Sequence, residues 1–406
     1  MKSKLEELIK EFCSNGVEYK PLWSLTAWDK RFSGIDRSMQ KKVVSYKYYL
    51  SSEFNEVERK DGDILYIPTG ITNEKRYTTE ELAGEYLAEG EIVCIPWGGT
   101  PNVKYHKGKF VTGDNRIATS LDTNILDNKY LYYWMQSKID LIASFYRGAG
   151  IQHPSMKSVL ELQIPLPALP VQREIVRILD SFTLYSAELT AELTARRKQY
   201  EFYRDKLLNF DIEIEWKTIE EACNMSAGGD VPKDRFSREK TEQFYVPVYS
   251  NGVDENALYG YTDKAKIFEP CITVAARGTI GYCALRTEPF FPVVRLICLC
   301  PKKEIIPKYL KYYIETIHFQ VPTSGIPQLT VPMIGKYKIP VPPIEVQERI
   351  VKVLDNFDAI CSDLGIGLPA EIEKRQKQYE YYRDKLLSID INIDKVINTT
   401  GGATAN

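Results

Sequence analysis

The sequence predicts an α+β fold in which two globular mixed α/β domains are separated by two long antiparallel helices of coiled-coil type. Two repeated blocks predict this arrangement and an internal pseudo-two-fold duplication. The block QYEFYRDKLL at residues 199–208 recurs as QYEYYRDKLL at residues 378–387, with nine identities in ten. The block IPLPALPVQREIVRILDSF, which begins at Ile164, recurs from Ile339 as IPVPPIEVQERIVKVLDNF. Each copy follows more than a hundred residues of divergent, strand-like sequence, so variable and constant segments alternate.

The duplication divides the chain into six predicted segments. Related phrases, VEYKPL at Val17 and IEWKTI at Ile214, open the two variable domains. The segments are an N-terminal helix (1–16), a first variable domain (17–163), a central helical region (164–212), a second variable domain (213–338), a distal helical region (339–398) and a disordered tail (399–406). A chain of this plan would recognise two different things at a fixed separation.

The first constant block predicts one long helix. Its apolar residues recur at spacings of three and four from Val171 to Leu207, which is typical of an apolar stripe along one helix face. A helix of about 38 residues would be roughly 57 Å long at 1.5 Å per residue. One small domain cannot bury a stripe of that length, so we expect the two copies to pair as antiparallel helices. The alternative is that each helix folds back on its own domain.

The second copy is predicted to be interrupted. The blocks that begin at Ile164 and Gln199 return 175 and 179 residues later, so the second copy carries four extra residues between them. The sequence GIGLPAE, from Gly365, lies at this place. Its two glycines favour the end of one helix, and Pro369 suits the first turn of another.

Each variable domain combines short strands with one helix. Runs such as DILYIP from Asp63, EIVCIPW from Glu91, CITVAARG from Cys271 and VVRLICLC from Val293 are typical of strands broken by Gly, Pro and Asn turns. KYLYYWMQS from Lys129 and KYLKYYIETI from Lys308 predict a matching helix in each domain. Both domains then pass through glycine-containing loops, GAGIQHPS and SGIPQLT, into the constant block. We therefore expect the two domains to share a fold.

Candidate ligand contacts in the variable domains are cations, amides and aromatic residues. Arg, Lys, Asn and Gln carry the donors that match guanine and adenine edges in the major groove, and lysines also anchor phosphates. Each one taken singly could equally be an ordinary surface residue. The candidates for DNA contact are Trp97, Lys104, Tyr105, His106, Lys107, Lys109, Arg116, Gln152, Asn251, Arg277, Arg286, Arg295 and Gln328.

The constant blocks carry a second kind of candidate. Cations outside the apolar stripe recur in both copies, which indicates that each copy presents the same surface to the same partner, although such charge is usually a solvated face. The candidates for partner docking are Arg196, Lys198, Arg204, Arg375, Lys377 and Arg383.

Composition and motifs exclude several classes. The eight cysteines form no CxxC pair and the three histidines have no metal-ligand spacing, so we expect buried reduced thiols and no metal site. No phosphate loop, GxSxG elbow or dinucleotide fingerprint is present. No apolar run approaches the roughly 20 residues of a membrane helix, and the N-terminus is not a secretory signal. We expect a cytoplasmic chain. The net charge of −2 does not decide whether the chain binds nucleic acid, because a protein that binds it needs cations on only one part of its surface.

The doubled IPxP…VQ…IVxxLDxF and RxKQYExYRDKLL blocks, each behind a divergent domain, resemble the specificity subunit of type I restriction–modification systems. The resemblance spans essentially the whole chain. It implies that each variable domain is a target-recognition domain for one half of a bipartite site on double-stranded DNA, and that helix length sets the unread spacer. The chain itself would be non-catalytic.

The resemblance also implies partners and cofactors. Modification subunits, expected to be two, would dock on the constant region and use S-adenosylmethionine, whereas restriction subunits would use ATP and Mg²⁺. This chain would hold no cofactor and would have no membrane partner. Two alternatives remain open at this point. One is a stand-alone methyltransferase or nuclease, and the other is a coiled-coil adaptor whose globular ends bind proteins.

Overall fold

A computed structural model describes residues 3–72, 74–210, 214–321, 326–362 and 365–387. The predicted tail, 399–406, lies outside these residues. The chain divides into two compact units. The first takes in Met1–Glu188 and Glu373–Asn406, and the second takes in Leu189–Ile372. Each unit therefore combines one variable domain with helical segments from both constant blocks. The predicted segment boundaries stay a prediction.

The described residues of the first unit form ten strands and several helices. Its helices are α1 (Lys4–Phe12), α2 (Leu22–Leu25), α3 (Ser51–Val57), α4 (Glu80–Ala83), α5 (Asn128–Ser137), α6 (Ile139–Ala143), α7 (Met156–Leu160) and the first part of α8 (Leu169–Leu208). Its strands are β1 (Glu18–Pro21), β2 (Thr26–Trp28), β3 (Ile64–Ile67), β4 (Arg76–Thr78), β5 (Ala88–Pro96), β6 (Lys104–Thr112), β7 (Asn115–Ser120), β8 (Tyr146–Arg147), β9 (His153–Pro154) and β10 (Gln163–Leu166).

The part of the second unit that the structure describes also forms ten strands. They are β11 (Glu215–Thr218), β12 (Cys223–Ala227), β13 (Phe236–Ser237), β14 (Val246–Tyr249), β15 (Leu258–Thr262), β16 (Cys271–Ala275), β17 (Cys283–Arg286), β18 (Phe291–Pro292), β19 (Leu296–Pro301) and β20 (Lys338–Val341). Its helices are the rest of α8, α9 (Ile219–Ala222), α10 (Pro307–Ile314), α11 (Val331–Gly335) and α12 (Ile344–Ser362). Helix α13 (Leu368–Leu387) belongs to the first unit from Glu373 onwards.

Both units are built on the same four-stranded antiparallel sheet. Its order is β2-β7-β5-β6 in the first unit and β12-β19-β16-β17 in the second. The first unit extends this sheet with β3, which is parallel to β6, and with β4. The second unit instead forms a separate sheet of order β13-β15-β14-β18. The shared sheet accounts for the common fold, and the additions account for the divergence of the sequences.

The helix predictions are confirmed. The first copy forms one continuous helix of 40 residues, α8. The second copy forms α12 and α13, which are separated by a break that contains Gly365 and Gly367, and Pro369 lies in the first turn of α13. The matching helices of the variable domains are α5 and α10.

The constant helices pair in opposite directions within each unit. In the first unit, the rings of Phe182 and Tyr382 stack 5.5 Å apart, and the guanidinium of Arg375 lies 5.1 Å from the ring of Tyr185. The residue number on α13 therefore falls as the number on α8 rises, which is an antiparallel pairing. Because α13 comes from the second copy, it does not fold back on its own variable domain, and the alternative arrangement is wrong for this helix.

The second unit repeats the antiparallel pairing with α12. The rings of Tyr203 and Phe357 stack 5.5 Å apart. Burial raises the pKa of the Cys361 thiol, and the nearby guanidinium of Arg197 partly offsets that rise. The core of this unit includes Leu208 from α8 together with Ile350 and Leu354 from α12. The predicted fold class, with two mixed domains and antiparallel helices, is confirmed.

A buried glutamine joins each constant helix to its variable domain. Gln172 accepts a hydrogen bond from the backbone N–H of Asp127 (2.9 Å) and donates to the carbonyl oxygens of Ile125 and Pro167 (both 2.8 Å). Its counterpart, Gln347, accepts from the N–H of Ile306 and donates to the carbonyls of Glu304 and Pro342, all at 2.8 Å. Both side chains are fully buried. The glutamines thus fix the loop that starts α5 or α10.

A tyrosine and a lysine of α5 and α10 complete this connection. In the first unit, Tyr133 donates to Asp180 on α8 at 2.6 Å and Lys129 pairs with the same carboxylate at 2.8 Å. In the second unit, Tyr312 and Lys308 make the same contacts with Asp355, at the same distances. We call the glutamine, the aspartate and their partners the helix clamp. The repeated sequence of the constant blocks therefore has a structural cause in each unit.

The helix clamp predicts a stability effect. We expect Gln172→Ala to lower the free energy of unfolding by about 1–3 kcal/mol, because it removes one buried and two partly buried hydrogen bonds. Urea unfolding followed by circular dichroism measures this loss, and Gln347→Ala should show the same effect. The exposed Gln376 on α13 provides the control. Equal stability of Gln172→Ala and Gln376→Ala would contradict the structural role of the clamp.

Candidate nucleic-acid interface

Two loops meet at one end of the shared sheet in the first unit. The first loop follows β5, and the second is the turn between β8 and β9. The N–H of Gly99 donates to the carbonyl of Gln152 at 3.2 Å, and a ring nitrogen of His153 lies 2.7 Å from the carbonyl oxygen of Trp97. These contacts bring the predicted candidates Trp97 and Gln152 together. We call Lys30, Trp97, Arg147, Ile151, Gln152 and His153 the first patch.

The Trp97 ring organises the first patch. It lies 4.9 Å from the His153 ring, and the ammonium of Lys30 lies 5.6 Å from its centroid. A cation over an indole ring is electrostatically favourable. Lys30, Arg147 and Gln152 are exposed, and within the part of the chain that the structure describes neither Lys30 nor Arg147 has an ion-pair partner. The patch thus offers positive charge and an amide beside a partly exposed aromatic surface.

The second unit also joins the equivalent loops, through a different hydrogen bond. The loop after β16 is bonded to the segment before α11, since the N–H of Leu329 donates to the carbonyl of Ala276 at 2.9 Å. The side-chain amide of Asn251 donates to the carbonyl of Arg277 at 2.6 Å. The N–H of Ala276 donates to the carbonyl of Arg295 at 2.8 Å. We call Asn251, Arg277, Arg295, Ile326 and Gln328 the second patch.

The cations of the second patch are available to a ligand. Arg295 is exposed and adopts a left-handed backbone conformation with φ of 75°, which is uncommon for a residue other than glycine. Arg277 is half-buried and Gln328 is exposed. Among the described residues, neither Arg277 nor Arg295 forms an ion pair. Four of the sequence-predicted candidates, Asn251, Arg277, Arg295 and Gln328, therefore lie on four segments that hydrogen bonds connect, and neither arginine has an ion-pair partner among the described residues.

The candidates on β6 do not join the first patch. The register pairs Lys107 with Glu91 and Lys109 with Glu89, whereas Trp97 lies beyond the opposite end of β5. Trp97 is six residues from Glu91 and eight from Glu89, or about 20 and 26 Å at roughly 3.3 Å per residue. Lys107 is 3.5 Å from Glu91, and Lys109 pairs with Glu80 at 2.6 Å.

The remaining candidates on β6 are engaged by protein groups. The ammonium of Lys104 donates to the carbonyls of Pro68 (2.6 Å) and Thr69 (3.0 Å), and burial lowers its pKa. Tyr105 donates its hydroxyl hydrogen to Glu91 at 2.6 Å. A ring nitrogen of His106 lies 3.0 Å from the carbonyl oxygen of Lys109. These contacts give each of the three side chains a role within the domain.

Arg116 requires a correction. Only 1% of this residue is exposed, and its guanidinium pairs with Asp29 at 2.5 Å and with Asp114. Burial raises the pKa of Asp29, and the charge of Arg116 opposes that rise. The guanidinium also lies 4.7 Å from the Trp97 centroid, on the buried side of the first patch. Arg116 packs against the Trp97 ring from the protein interior. It is not exposed to DNA, because the carboxylates of Asp29 and Asp114 enclose its guanidinium.

Arg286, another candidate for DNA contact, lies away from the second patch. Its guanidinium lies 3.8 Å from the centroid of the Tyr249 ring. This contact joins β17 to the separate sheet that contains β14. The residue is half-buried and stands opposite Cys271 in the strand register, at the other end of β16 from Arg277. It lies outside the second patch as defined by the hydrogen bonds above.

The docking candidates form matched surfaces. Arg196 donates to Gln199 at 3.2 Å, and Arg375 donates to Gln378 at 2.9 Å. Arg204 and Arg383 each pair with the aspartate that follows, at 2.9 and 2.7 Å. Each also lies 5.8 Å from a tyrosine ring of its own helix. Lys198 is exposed, and Lys377 pairs with Glu373 at 2.5 Å.

The sequence-based reading missed two aromatic residues at equivalent places. Phe202 and Tyr381 are 61% and 57% exposed. Each meets the next tyrosine in an edge-to-face contact, with centroids 5.4 Å apart and an angle of 76° in both cases. The sequence contained a signal for them, because both belong to the repeated block QYEFYRDKLL or QYEYYRDKLL. Neither lies in the apolar stripe of the helix, which is the pattern that predicts burial.

Lys30, Arg147, His153 and the two isoleucines of the patches were missed as well. The parallel phrases GAGIQHPS and SGIPQLT contained the signal for Ile151 and Ile326, since a glycine precedes and a glutamine follows in both. Lys30 and Arg147 reach the first patch only through the sheet pairing and the β8–β9 hairpin, which the sequence does not reveal.

All eight cysteines are buried as free thiols, as predicted. Among the described residues, no cluster of His, Cys, Asp or Glu has the arrangement of a metal site. None of the described helices is long and apolar enough to span a membrane.

Comparison with known proteins decides the family. The family model of the type I restriction modification DNA specificity domain matches residues 44–196 and again residues 212–374. The chain belongs to the type I DNA specificity family. Each match overlaps one variable domain and the constant helical region that follows it, so both halves carry the features of the family.

Two relatives of this specificity subunit match it over most of their own length. A putative type I specificity subunit of Mycoplasma pneumoniae is 34% identical over 329 residues, which cover 77% of this chain and 96% of that protein. A type I restriction enzyme specificity subunit of Escherichia coli is 36% identical over 367 residues, which cover 82% of this chain and 89% of that protein. The chain is accordingly a type I specificity subunit that recognises DNA sequence.

Solved structures support the fold. The S subunit of a type I restriction-modification system from M. genitalium aligns with a TM-score of 0.60 at 18% identity, over 92% of this chain and 96% of that one. A chain from a structure that describes assembly and conformational transition of a type I system aligns with a TM-score of 0.54 at 16% identity, over 81% of this chain and 92% of that one.

The burial of Arg116 predicts that this residue affects stability. We expect Arg116→Met to lower the free energy of unfolding by about 3–5 kcal/mol, because it leaves the buried Asp29 without its partner. Lys107→Met removes an exposed pair and should change stability by less than about 1 kcal/mol. Urea unfolding of both variants distinguishes the two settings. A matching small change in both would contradict the structural role of Arg116.

Proposed function

We propose that this specificity subunit reads an asymmetric, bipartite site on double-stranded DNA, with one half-site for each unit. One observation carries the proposal. At the same end of the same sheet, the loop that follows β5 carries Trp97 in the first unit, and the equivalent loop that follows β16 carries Arg277 in the second. Neighbouring segments add Arg147 and Gln152 to the first patch, and they add Asn251, Arg295 and Gln328 to the second. Equal placement with unlike chemistry supports two readers that recognise different sequences.

The chemistry of the two patches suits duplex DNA. Arginine matches the O6 and N7 acceptors of guanine, and glutamine and asparagine match N6 and N7 of adenine. Exposed cations beside them neutralise phosphates and fix the register of the protein on the duplex. We assign base contacts to Arg277, Arg295, Gln152 and Gln328, and phosphate contacts to Lys30 and Arg147.

We further propose that the constant helices set the spacer between the half-sites. Helix α8 belongs to the first unit up to Glu188 and to the second from Leu189. The clamp ties α8 to the first variable domain and α12 to the second. A continuous helix cannot change length without adding or removing residues. An unread spacer of constant length would follow from this connection.

The proposed partners are two modification subunits, which bind the matched docking surfaces, and restriction subunits. We assign S-adenosylmethionine-dependent methylation to the former, and ATP- and Mg²⁺-dependent cleavage to the latter, so that this chain is non-catalytic. Repetition of the Arg196 and Arg375 contacts supports two copies of one partner. Phe202 and Tyr381 are suited to anchor each copy, since exposed aromatic residues often dominate binding at interfaces.

The DNA proposal predicts a loss confined to one half-site. We expect Arg277→Ala, in the complex purified through a tag on the full-length chain, to weaken binding about 10-fold or more and to relax discrimination at one base pair of the second half-site. Titration of labelled duplexes with single base-pair changes, at several salt concentrations, measures both effects.

Lys109→Ala is the matched control for that titration, because Lys109 is an exposed cation away from the patches. It should leave base discrimination at both half-sites unchanged. If Arg277→Ala kept the base preferences of the unmodified chain, the assignment of the second patch to base reading would be wrong.

The docking proposal predicts a change in stoichiometry. We expect Phe202→Ala and Tyr381→Ala each to weaken the binding of one modification subunit by roughly 30-fold, which is the usual minimum effect at an interface hot spot. Native mass spectrometry at limiting concentration should then show one bound copy in place of two. The control is Leu184→Ala, because Leu184 is an exposed apolar residue of α8 that the second copy replaces with Ala359. Two copies bound to Phe202→Ala would contradict the assignment.

A further inference from the structure

Each patch contains one isoleucine that the fold leaves in solvent. Ile151 is 70% exposed and Ile326 is 69% exposed. Both follow a glycine, and both occur in the loop that leads into the constant block: Gly150 precedes Ile151 and Gly325 precedes Ile326. Removing a large apolar side chain from water is favourable, so its exposure at the same place in both units indicates a surface that is covered when a ligand binds.

The position of Ile151 is fixed by its surroundings. A Cβ at Gly98 would lie 2.7 Å from Cγ2 of Ile151, so the lack of a side chain at Gly98 leaves room for this methyl group. Gly148, at the start of the same turn, has φ of 140° and admits no Cβ, which would lie 2.9 Å from the carbonyl oxygen of Ile151. The hydrogen bond from Gly99 to Gln152 holds the next residue.

The second loop is held at the corresponding point. The hydrogen bond from Leu329 to Ala276 ties the segment after Ile326 to the end of the central strand β16. Gln328 lies two residues after Ile326, and Gln152 lies one residue after Ile151. Each isoleucine therefore has an exposed glutamine within two residues of it in the sequence.

The charges around the isoleucines identify the occupant. Arg147 lies on the strand that leads into the Ile151 turn, and Arg277 and Arg295 belong to the patch of Ile326. A single apolar side chain among unpaired cations and amides complements the major groove, where the thymine methyl group is the apolar feature and adenine presents a donor and an acceptor to an amide.

We propose that Ile151 and Ile326 each contact the methyl group of a thymine, one in each half-site, beside a glutamine that reads an adenine. The proposal rests on the proposed function and adds a constraint to it. The two half-sites, although unlike elsewhere, each contain a thymine read by the same loop.

The test uses duplexes in which one thymine at a time is replaced by deoxyuridine, which removes the methyl group and keeps the base pair. The protein is the complex purified through a tag on the full-length chain, and the duplex carries the sequence that this complex selects from a random pool. We expect one position in each half-site at which deoxyuridine weakens binding about fivefold, the effect of one methyl group removed from an apolar contact.

Variants assign each effect to its residue. Ile151→Ala should weaken binding to the thymine duplex by about the same factor and should abolish the deoxyuridine effect in one half-site only. Ile326→Ala should do so in the other half-site. Ile71, which is 69% exposed on the first unit outside both patches, is the control, and Ile71→Ala should retain both effects.

Two results would overturn the inference while the proposed function stands. In the first, the complex binds a split sequence selectively but no thymine position responds to deoxyuridine, as expected if the isoleucines face a minor groove or a protein. In the second, a response persists unchanged in both isoleucine variants. A complex that selects no sequence from the pool would overturn the proposed function as well.

Discussion

The helix clamp is the constraint on which the architecture depends. A fully buried glutamine cannot leave its amide unsatisfied without a cost of about 1–3 kcal/mol, so Gln172 and Gln347 fix the loops before α5 and α10. Asp180 and Asp355 then hold those two helices through a tyrosine and a lysine. The repeated blocks retain their sequence because the same contacts are made twice. The variable domains need only preserve the positions that the clamp touches.

The separation of the clamp contacts from the other residues explains how the two variable domains differ in sequence and still share a fold. The antiparallel sheet shared by both units carries the clamped helix on one side and ends in the loops of the two patches. Strands outside it differ: the first unit adds β3 and β4 to the sheet, and the second builds a separate sheet. The side chains that we propose to read bases can change because they lie on loops, whose backbones are tied by contacts such as Gly99 to Gln152 and Leu329 to Ala276.

The sequence predicts those features that depend on local pattern. The apolar spacing of α8, the glycine break before α13 and the helices at α5 and α10 all follow from residues close together in the chain. Features that depend on sheet pairing are different. Lys107 and Lys109 are close to Trp97 in sequence but lie away from the end of β5 that precedes it. Arg116 is enclosed by Asp29, which is distant in sequence and reaches it through the pairing of β2 with β7. The DNA-contacting residues remain a prediction, now concentrated in two patches.

Selection of bound duplexes from a random pool tests the central claim most directly. The complex purified through a tag on the full-length chain is mixed with the pool, and the retained duplexes are sequenced. The account predicts one motif made of two short, unlike blocks separated by a constant number of unread base pairs. One contiguous block, two blocks with a variable gap, or no enrichment at all would contradict it.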